Sequence, residues 1–221
     1  TIKCDDPNCT DDSHSHSHDH GDHGGIGSFV FCARRPFHPM RLSAFLQCMP
    51  VERGLPPAVS LSTSDNVLTT LKTSKKTKEL LFNLVRSKGF AWVADSNLAA
   101  LYWCHAGCSF EMQCLGRWWA TLPKSQWPEE AKESILADFD NPGHDEELSS
   151  TTVSTVGDRR QEIVFIGPGM GESTQRDKIL EELNTCLLTD DEWKVYQSKK
   201  HDEQSLHAAF VNPIQSRMIT Y

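Results

Sequence analysis

Apolar positions recur along this chain with two periods, one of two residues and one of between three and four. Ser28 to Arg35 (SFVFCARR) is rich in aromatic and β-branched residues and largely apolar on both faces, the pattern of a strand inside a sheet. Pro36 ends it, and Pro39 opens a helix in which Leu42, Phe45, Leu46 and Met49 follow at i, i+3, i+4 and i+7. Leu80, Leu81, Leu84 and Val85 repeat helical spacing over Lys78 to Ser87, and Gly89 stands where a left-handed C-cap belongs. Phe90–Ala94, Ala99–Cys104 and Phe110–Leu115 then read as three strands of an antiparallel meander. In the third, Phe110, Met112 and Cys114 alternate with Glu111 and Gln113, so one side is wet. Gly157 to Gly167 is a further strand, and Glu172 to Leu188 a helix with Ile179, Leu183, Cys186 and Leu187 on one face. Thr189 and Glu192 have the spacing of a capping box that opens a last short helix.

That order predicts an α+β domain, with a single mostly antiparallel β-sheet and helices packed on one face. Residues 50–77 and 120–156 are rich in Ser, Thr, Pro and charge, lack a sustained period and read as insertions, the second with a short helix near Glu129 to Leu136. The domain is thus expected over 28–193, behind a linker at 1–27 and ahead of a tail at 194–221 that is polar and reads as loop or disorder beyond Ser198.

Composition adds a strong feature at the linker. Asp11 to Gly25 (DDSHSHSHDHGDHGG) holds five of the ten histidines, His14, His16, His18, His20 and His23, interleaved with Ser, Asp and Gly. Such residues bury too little apolar surface to offset the entropy of ordering a backbone, which predicts a disordered, His-rich segment. Imidazoles and carboxylates on a pliant chain suit a borderline divalent metal such as zinc, copper or nickel without singling one out, with Cys4 and Cys9 as thiolate partners. The competing explanations are a solvated linker and a purification tag, and the acidic interleaving argues against the tag.

The net charge of −8, with Lys and Arg thinly spread, excludes a basic face for nucleic acid, and no apolar run is long enough to span a membrane. Eight cysteines, several within apolar strands, read as small core-filling thiols in the cytoplasm or another reducing intracellular compartment. Because the chain begins with Thr1, its natural N-terminus and any targeting segment are expected upstream.

Three other groups are candidates for chemistry. Gly167-Pro168-Gly169-Met170-Gly171 follows a strand and precedes a helix, but Glu172 occupies the position where a P-loop needs lysine, so the turn reads as structural. Cys104, Cys108 and Cys114 with His105 form a weaker metal cluster, in which Cys104 and Cys114 can face each other across paired strands while His105 points to the other side. A cysteine nucleophile paired with His38 or His105 has no local signature. The paired arginines Arg34-Arg35 and Arg159-Arg160 flank strands, either as salt bridges at the rim of the sheet or as forks for an acidic or nucleotide-bearing partner.

Several strings carry a resemblance. Arg34-Arg35-Pro36-Phe37-His38-Pro39 with Arg41, Arg86-Ser87-Lys88-Gly89-Phe90-Ala91-Trp92, Gly116-Arg117-Trp118-Trp119, Gly157-Asp158-Arg159-Arg160-Gln161-Glu162 with Phe165-Ile166-Gly167, and Cys186-Leu187-Leu188-Thr189 stand in the order found in CobW-type proteins. Over about residues 26–193 the chain resembles the C-terminal domain of that family of metal-handling P-loop GTPases. The resemblance implies an N-terminal GTPase domain with GTP, magnesium and a Cys-x-Cys-Cys motif, often joined through a His-rich linker. Neither a P-loop nor Cys-x-Cys-Cys occurs in these residues, so this portion is expected not to be an enzyme.

What the resemblance implies is a regulatory, client-binding portion of a GTP-dependent metallochaperone for zinc or cobalt homeostasis or cobalamin-related metal insertion. Its partners would be the GTPase domain of the same protein and a client metalloprotein, contacted through Arg34, Arg35, His38, Arg159 and Arg160. A small Cys/His-dependent enzyme and a plain metal-buffering interaction domain are the alternatives.

Overall fold

The computed structural model describes residues 25–51, 75–140 and 156–211. Five strands, β1 (Ile26–Ala33), β2 (Arg86–Ala91), β3 (Ala99–Ala106), β4 (Ser109–Arg117) and β5 (Gln161–Pro168), form one sheet in the order β1-β5-β2-β3-β4. Every neighbouring pair is antiparallel. The α+β architecture read from the periodicity is therefore the observed one.

Register decides which side chains share a face. Phe29 lies opposite Phe165 and Phe31 opposite Ile163, while Trp103 lies opposite Met112 on the other half of the sheet. All six are buried, and the Phe29 and Phe165 rings stack at 5.1 Å. This face is covered by α1 (Pro39–Leu46), by α2 (residues 75–81) and by α4 (Ser173–Cys186), which contribute Leu42, Phe45, Leu81, Ile179 and Leu183 to the same core. Between α2 and α4 in the sequence lies α3 (Lys132–Asp140). On the opposite face, Val30, Lys88 and Glu111 are exposed.

The α1 stripe forms as its spacing predicts, with Pro39 at the helix start and His38 as N-cap, its Nδ1 accepting from the Met40 amide. The Thr189–Glu192 capping box is present and opens α5 (Asp190–Lys199).

Three expectations are corrected. Gly89 does not cap a helix: α2 ends at residue 81, and Gly89 lies within β2, where a Cβ would overlap the Glu162 carbonyl of β5. The leucines predicted the burial correctly, since Leu80, Leu81 and Leu84 are all in the core, but Phe82 is 78% exposed where the chain leaves the helix. The stretch after Ser198 is not loop throughout. It continues into α6 (Glu203–Ala209), anchored by the buried side chains of Leu206 and Phe210, the latter edge-on to His38 at 5.9 Å.

The short helix expected near Glu129 to Leu136 is present: 3-10 turns from residue 119 lead into α3, and Trp127 and Ile135 are buried. Finally, the strand thiols are not core fillers. Cys32 and Cys104 are half-buried and Cys108 and Cys114 exposed, whereas the buried pair, Cys48 and Cys186, belongs to the helical layer.

A second, smaller core gathers at one end of the sheet from Trp92, Trp118, Leu188, Tyr196, Leu206 and Phe210. Trp92 meets Tyr196 edge-on at 5.6 Å, and Trp193 stacks on Tyr196 at 5.2 Å. Helices α5 and α6 are thereby tied to the ends of strands far away in sequence.

Candidate functional site

The arginine motifs converge at this end of the molecule. Pro36 and the isolated bridges from Phe37 to Val93 and Leu187 fix the turn after β1, which leaves Arg34 and Arg35 on different sides of it. Arg34 points inward. The residue is 4% exposed, and its guanidinium donates to the backbone carbonyls of Gly157 (3.1 Å), Arg159 (3.2 Å) and Asp138 (2.7 Å). Burial, and next the charge of Arg160, lower its pKa, while Asp138 and Asp158 oppose the shift. Arg34 therefore holds the α3 end and the 157–159 turn against β1.

Arg35 faces outward and reaches Asp190 at 2.8 Å and the Leu188 carbonyl at 3.1 Å, with its guanidinium 5.8 Å from the centre of the Trp193 ring. Arg41 grips Glu192 through two nitrogens, at 2.8 and 2.6 Å, and the Leu187 carbonyl at 2.9 Å. That fork holds the Glu192 carboxyl down to about 2, the hydrogen bond from Arg41 being the leading cause. His38 is kept neutral more readily than a free imidazole, by burial first and then by Arg41. With Nδ1 accepting at the cap, its Nε2 faces Glu192 at 3.8 Å, too far for a hydrogen bond.

Arg159 is 7% exposed, its Nε donating to the Asn97 carbonyl (3.0 Å) and Nη1 to that of Val156 (2.7 Å). Burial is the leading cause that lowers its pKa. Arg160 turns the other way, pairing with Asp138 and Glu162 and lying 5.1 Å from the Phe90 ring centre. Each of the four flanking arginines thus has partners inside the chain. Arg35 and Arg160 stay partly open to solvent, as side chains 33% and 18% exposed.

Two residues of the same motifs position this rim without having been singled out from the sequence. Asp158 accepts the amides of Trp119 (2.9 Å) and Ala120 (2.8 Å), which orients the turn after β4. Gln161, wholly buried, donates to the carbonyls of Trp92 (2.7 Å) and Arg35 (3.0 Å) and accepts from the Trp92 amide (3.1 Å). The signal for both was their place beside Arg159 and Arg160 in one string. Their partners lie too far away in sequence to be read from it.

The cysteine cluster does not come together. Cys104 pairs with Glu111 and Cys114 with Leu101, while His105 is wholly buried in the core. Among the described residues no group of three His, Cys, Asp or Glu side chains is placed to hold a metal ion. His14, His16, His18, His20, His23, Cys4 and Cys9 lie outside the described residues. The glycine turn is built for packing, since Met170 is fully buried and a Cβ on Gly27 would overlap the Gly171 backbone. No described helix is long and apolar enough to cross a membrane.

Comparison with known proteins agrees with the motifs. Zinc-regulated GTPase metalloprotein activator 1 of Dictyostelium discoideum is 32% identical over 168 residues, which cover 76% of this chain. The chain spans only 26% of that curated relative's length. The zinc-bound YjiA GTPase of E. coli matches at 15% identity and a TM-score of 0.36, covering 74% of this chain and 30% of its own. A zinc-bound triple mutant of that GTPase matches at 14% identity and the same TM-score and coverage. The model of the cobalamin synthesis protein cobW C-terminal domain matches residues 61–187, which is more than half of the chain. This chain therefore belongs to the family of cobW C-terminal domains.

Proposed function

We propose that this chain is the regulatory and client-binding portion of a GTP-dependent zinc metallochaperone, active in the cytoplasm or another reducing compartment. The observation that supports it most is the alignment of three quarters of the chain with a zinc-regulated GTPase metalloprotein activator. GTP and magnesium belong to a GTPase domain outside these residues, where no Gly-x-x-x-x-Gly-Lys-Ser/Thr string occurs. The portion itself catalyses nothing. His14, His16, His18, His20 and His23 collect zinc, and cobalt less readily, raising its concentration beside the GTPase site. The rim around Arg35, His38 and Arg160 meets the GTPase domain or the client. Release is gated by a difference in affinity between the GTP and GDP states.

The test is calorimetric titration of zinc into the chain and into a variant with the five tract histidines changed to Ala. Collection by the tract requires most of the zinc binding to disappear. Equal binding by both proteins sinks it. A cysteine-dependent enzyme, the alternative from a different class, requires activity in this chain alone that is lost on replacing Cys104 or Cys108.

A further inference from the structure

Beside Arg159 lies a cavity of about 420 Å³, whose walls include Asn97, Leu98, Phe139, Arg159, Lys200 and His201. Its volume is that of a small-molecule site. Four of its lining residues, Asn97, Arg159, Lys200 and His201, carry side-chain nitrogen donors. Arg159 spends Nε and Nη1 on backbone carbonyls, which fixes the guanidinium plane, and Nη2 has no acceptor among the described residues. Asn97 accepts the Tyr196 hydroxyl at its Oδ1 (2.8 Å), which leaves its amide nitrogen as the uncommitted end. Lys200 and His201 make no ion pair among the described residues.

Two carboxylates act on Arg159 from outside the cavity, and each is itself held by donors of the chain. Glu203 accepts the Ser96 hydroxyl (2.7 Å) and the Asn97 amide (2.9 Å), and Asp158 accepts the two amides after β4. Neither lines the cavity. Burial and the charge of Arg159 both lower the pKa of Lys200, as expected of two cations that face one space.

We infer that this cavity is a binding site for a phosphate group carried on a small organic molecule. A planar guanidinium and an ammonium together match a dianionic phosphate. A phosphate monoester offers three terminal oxygens to these donors where a carboxylate offers two, and the apolar walls of Leu98 and Phe139 suit an organic substituent. Asn97, Lys200 and His201 belong to none of the motifs that mark the family, and α5 and α6 deliver two of them.

Titration at constant ionic strength, with chloride as the balancing anion, tests the site in the full chain. Calorimetry with glycerol 3-phosphate is expected to give saturable, one-to-one binding. Lys200→Gln is expected to weaken it about tenfold or more, the loss of one charge-assisted hydrogen bond. Unfolding temperatures of Lys200→Gln and His201→Gln without ligand, matching the parent, show that the fold is intact. Should Lys200→Gln disturb the fold, His201→Gln carries the same test with a smaller loss. Binding that fails to saturate, or that is unchanged in both variants, overturns the site. Acetate binding as tightly as glycerol 3-phosphate overturns the phosphate assignment.

Discussion

Replacing Gln161 by Leu removes a side chain that is wholly buried and replaces it with one of similar volume, so the change is in polarity and not in packing. Three hydrogen bonds vanish, at 2.7, 3.0 and 3.1 Å. The Trp92 carbonyl keeps the Phe37 amide at 2.9 Å, but the Trp92 amide and the Arg35 carbonyl lose the Gln161 partner. At about 1–3 kcal/mol for each orphaned buried group, the variant loses about 2–6 kcal/mol of stability. Urea unfolding followed by tryptophan fluorescence measures it, and Trp92, 1% exposed, reports on the perturbed region itself. Amide exchange at Trp92 should accelerate in step with the loss. Gln161→Glu is expected to be destabilised as well at pH 7, because its carboxylate faces two carbonyl oxygens, and to recover partly as acid protonates it. A loss below about 0.5 kcal/mol in Gln161→Leu, within the range of a surface substitution, refutes the idea that this amide holds the rim together.

Other predictions address the rest of the frame. Gly89→Ala puts a methyl group onto the Glu162 carbonyl of the adjacent strand, and thermal unfolding should show a cost of at least about 2 kcal/mol. Truncation after Lys199 removes the buried Leu206 and Phe210 and frees Ser96 and Asn97 from Glu203, for a loss of about 3–6 kcal/mol from the two apolar side chains alone. Acid should destabilise the α1–α5 contact. The folded pKa of Glu192 is depressed from 4.5 to about 2, so its contribution is present above 4.5 and is lost as pH falls toward 2. His38 acts in the same direction, since its lowered pKa makes the folded state resist protonation as pH drops below 6.5. Arg41→Gln should flatten the lower part of that pH profile and cost about 1 kcal/mol at pH 7, the scale of a partly exposed pair.

Much of the frame was legible because its causes are local. The i, i+3, i+4 spacing of Leu42, Phe45 and Leu46 places α1, and a hydroxyl at Thr189 three residues before Glu192 caps α5, whatever the rest of the chain does. The strand bounds were less legible. Gly89 looks like the end of a helix because the leucines before it are periodic, and only the approach of Glu162 from β5, 73 positions away in the numbering, makes it a strand residue. The stretch after Ser198 looked featureless because two apolar residues, Leu206 and Phe210, give no periodic signal, although both find a core prepared by Trp92, Trp118 and Tyr196.

What the sequence determined by itself was therefore the kind of domain, its family and the His-rich stretch ahead of it, all written in short strings or in composition. The tertiary structure decided what the charged residues do. Arg34 and Arg159 have nearly the same sequence surroundings as Arg35 and Arg160, yet the first of each pair is buried on carbonyls and the second turns outward. Side chains alternate along an extended chain, and which alternate faces the interior depends on partners about 60 to 125 residues away. The donor-lined cavity depends on the same long-range closure, since Asn97, Arg159 and Lys200 share no string and meet only because the sheet and α5 bring their backbones to one place.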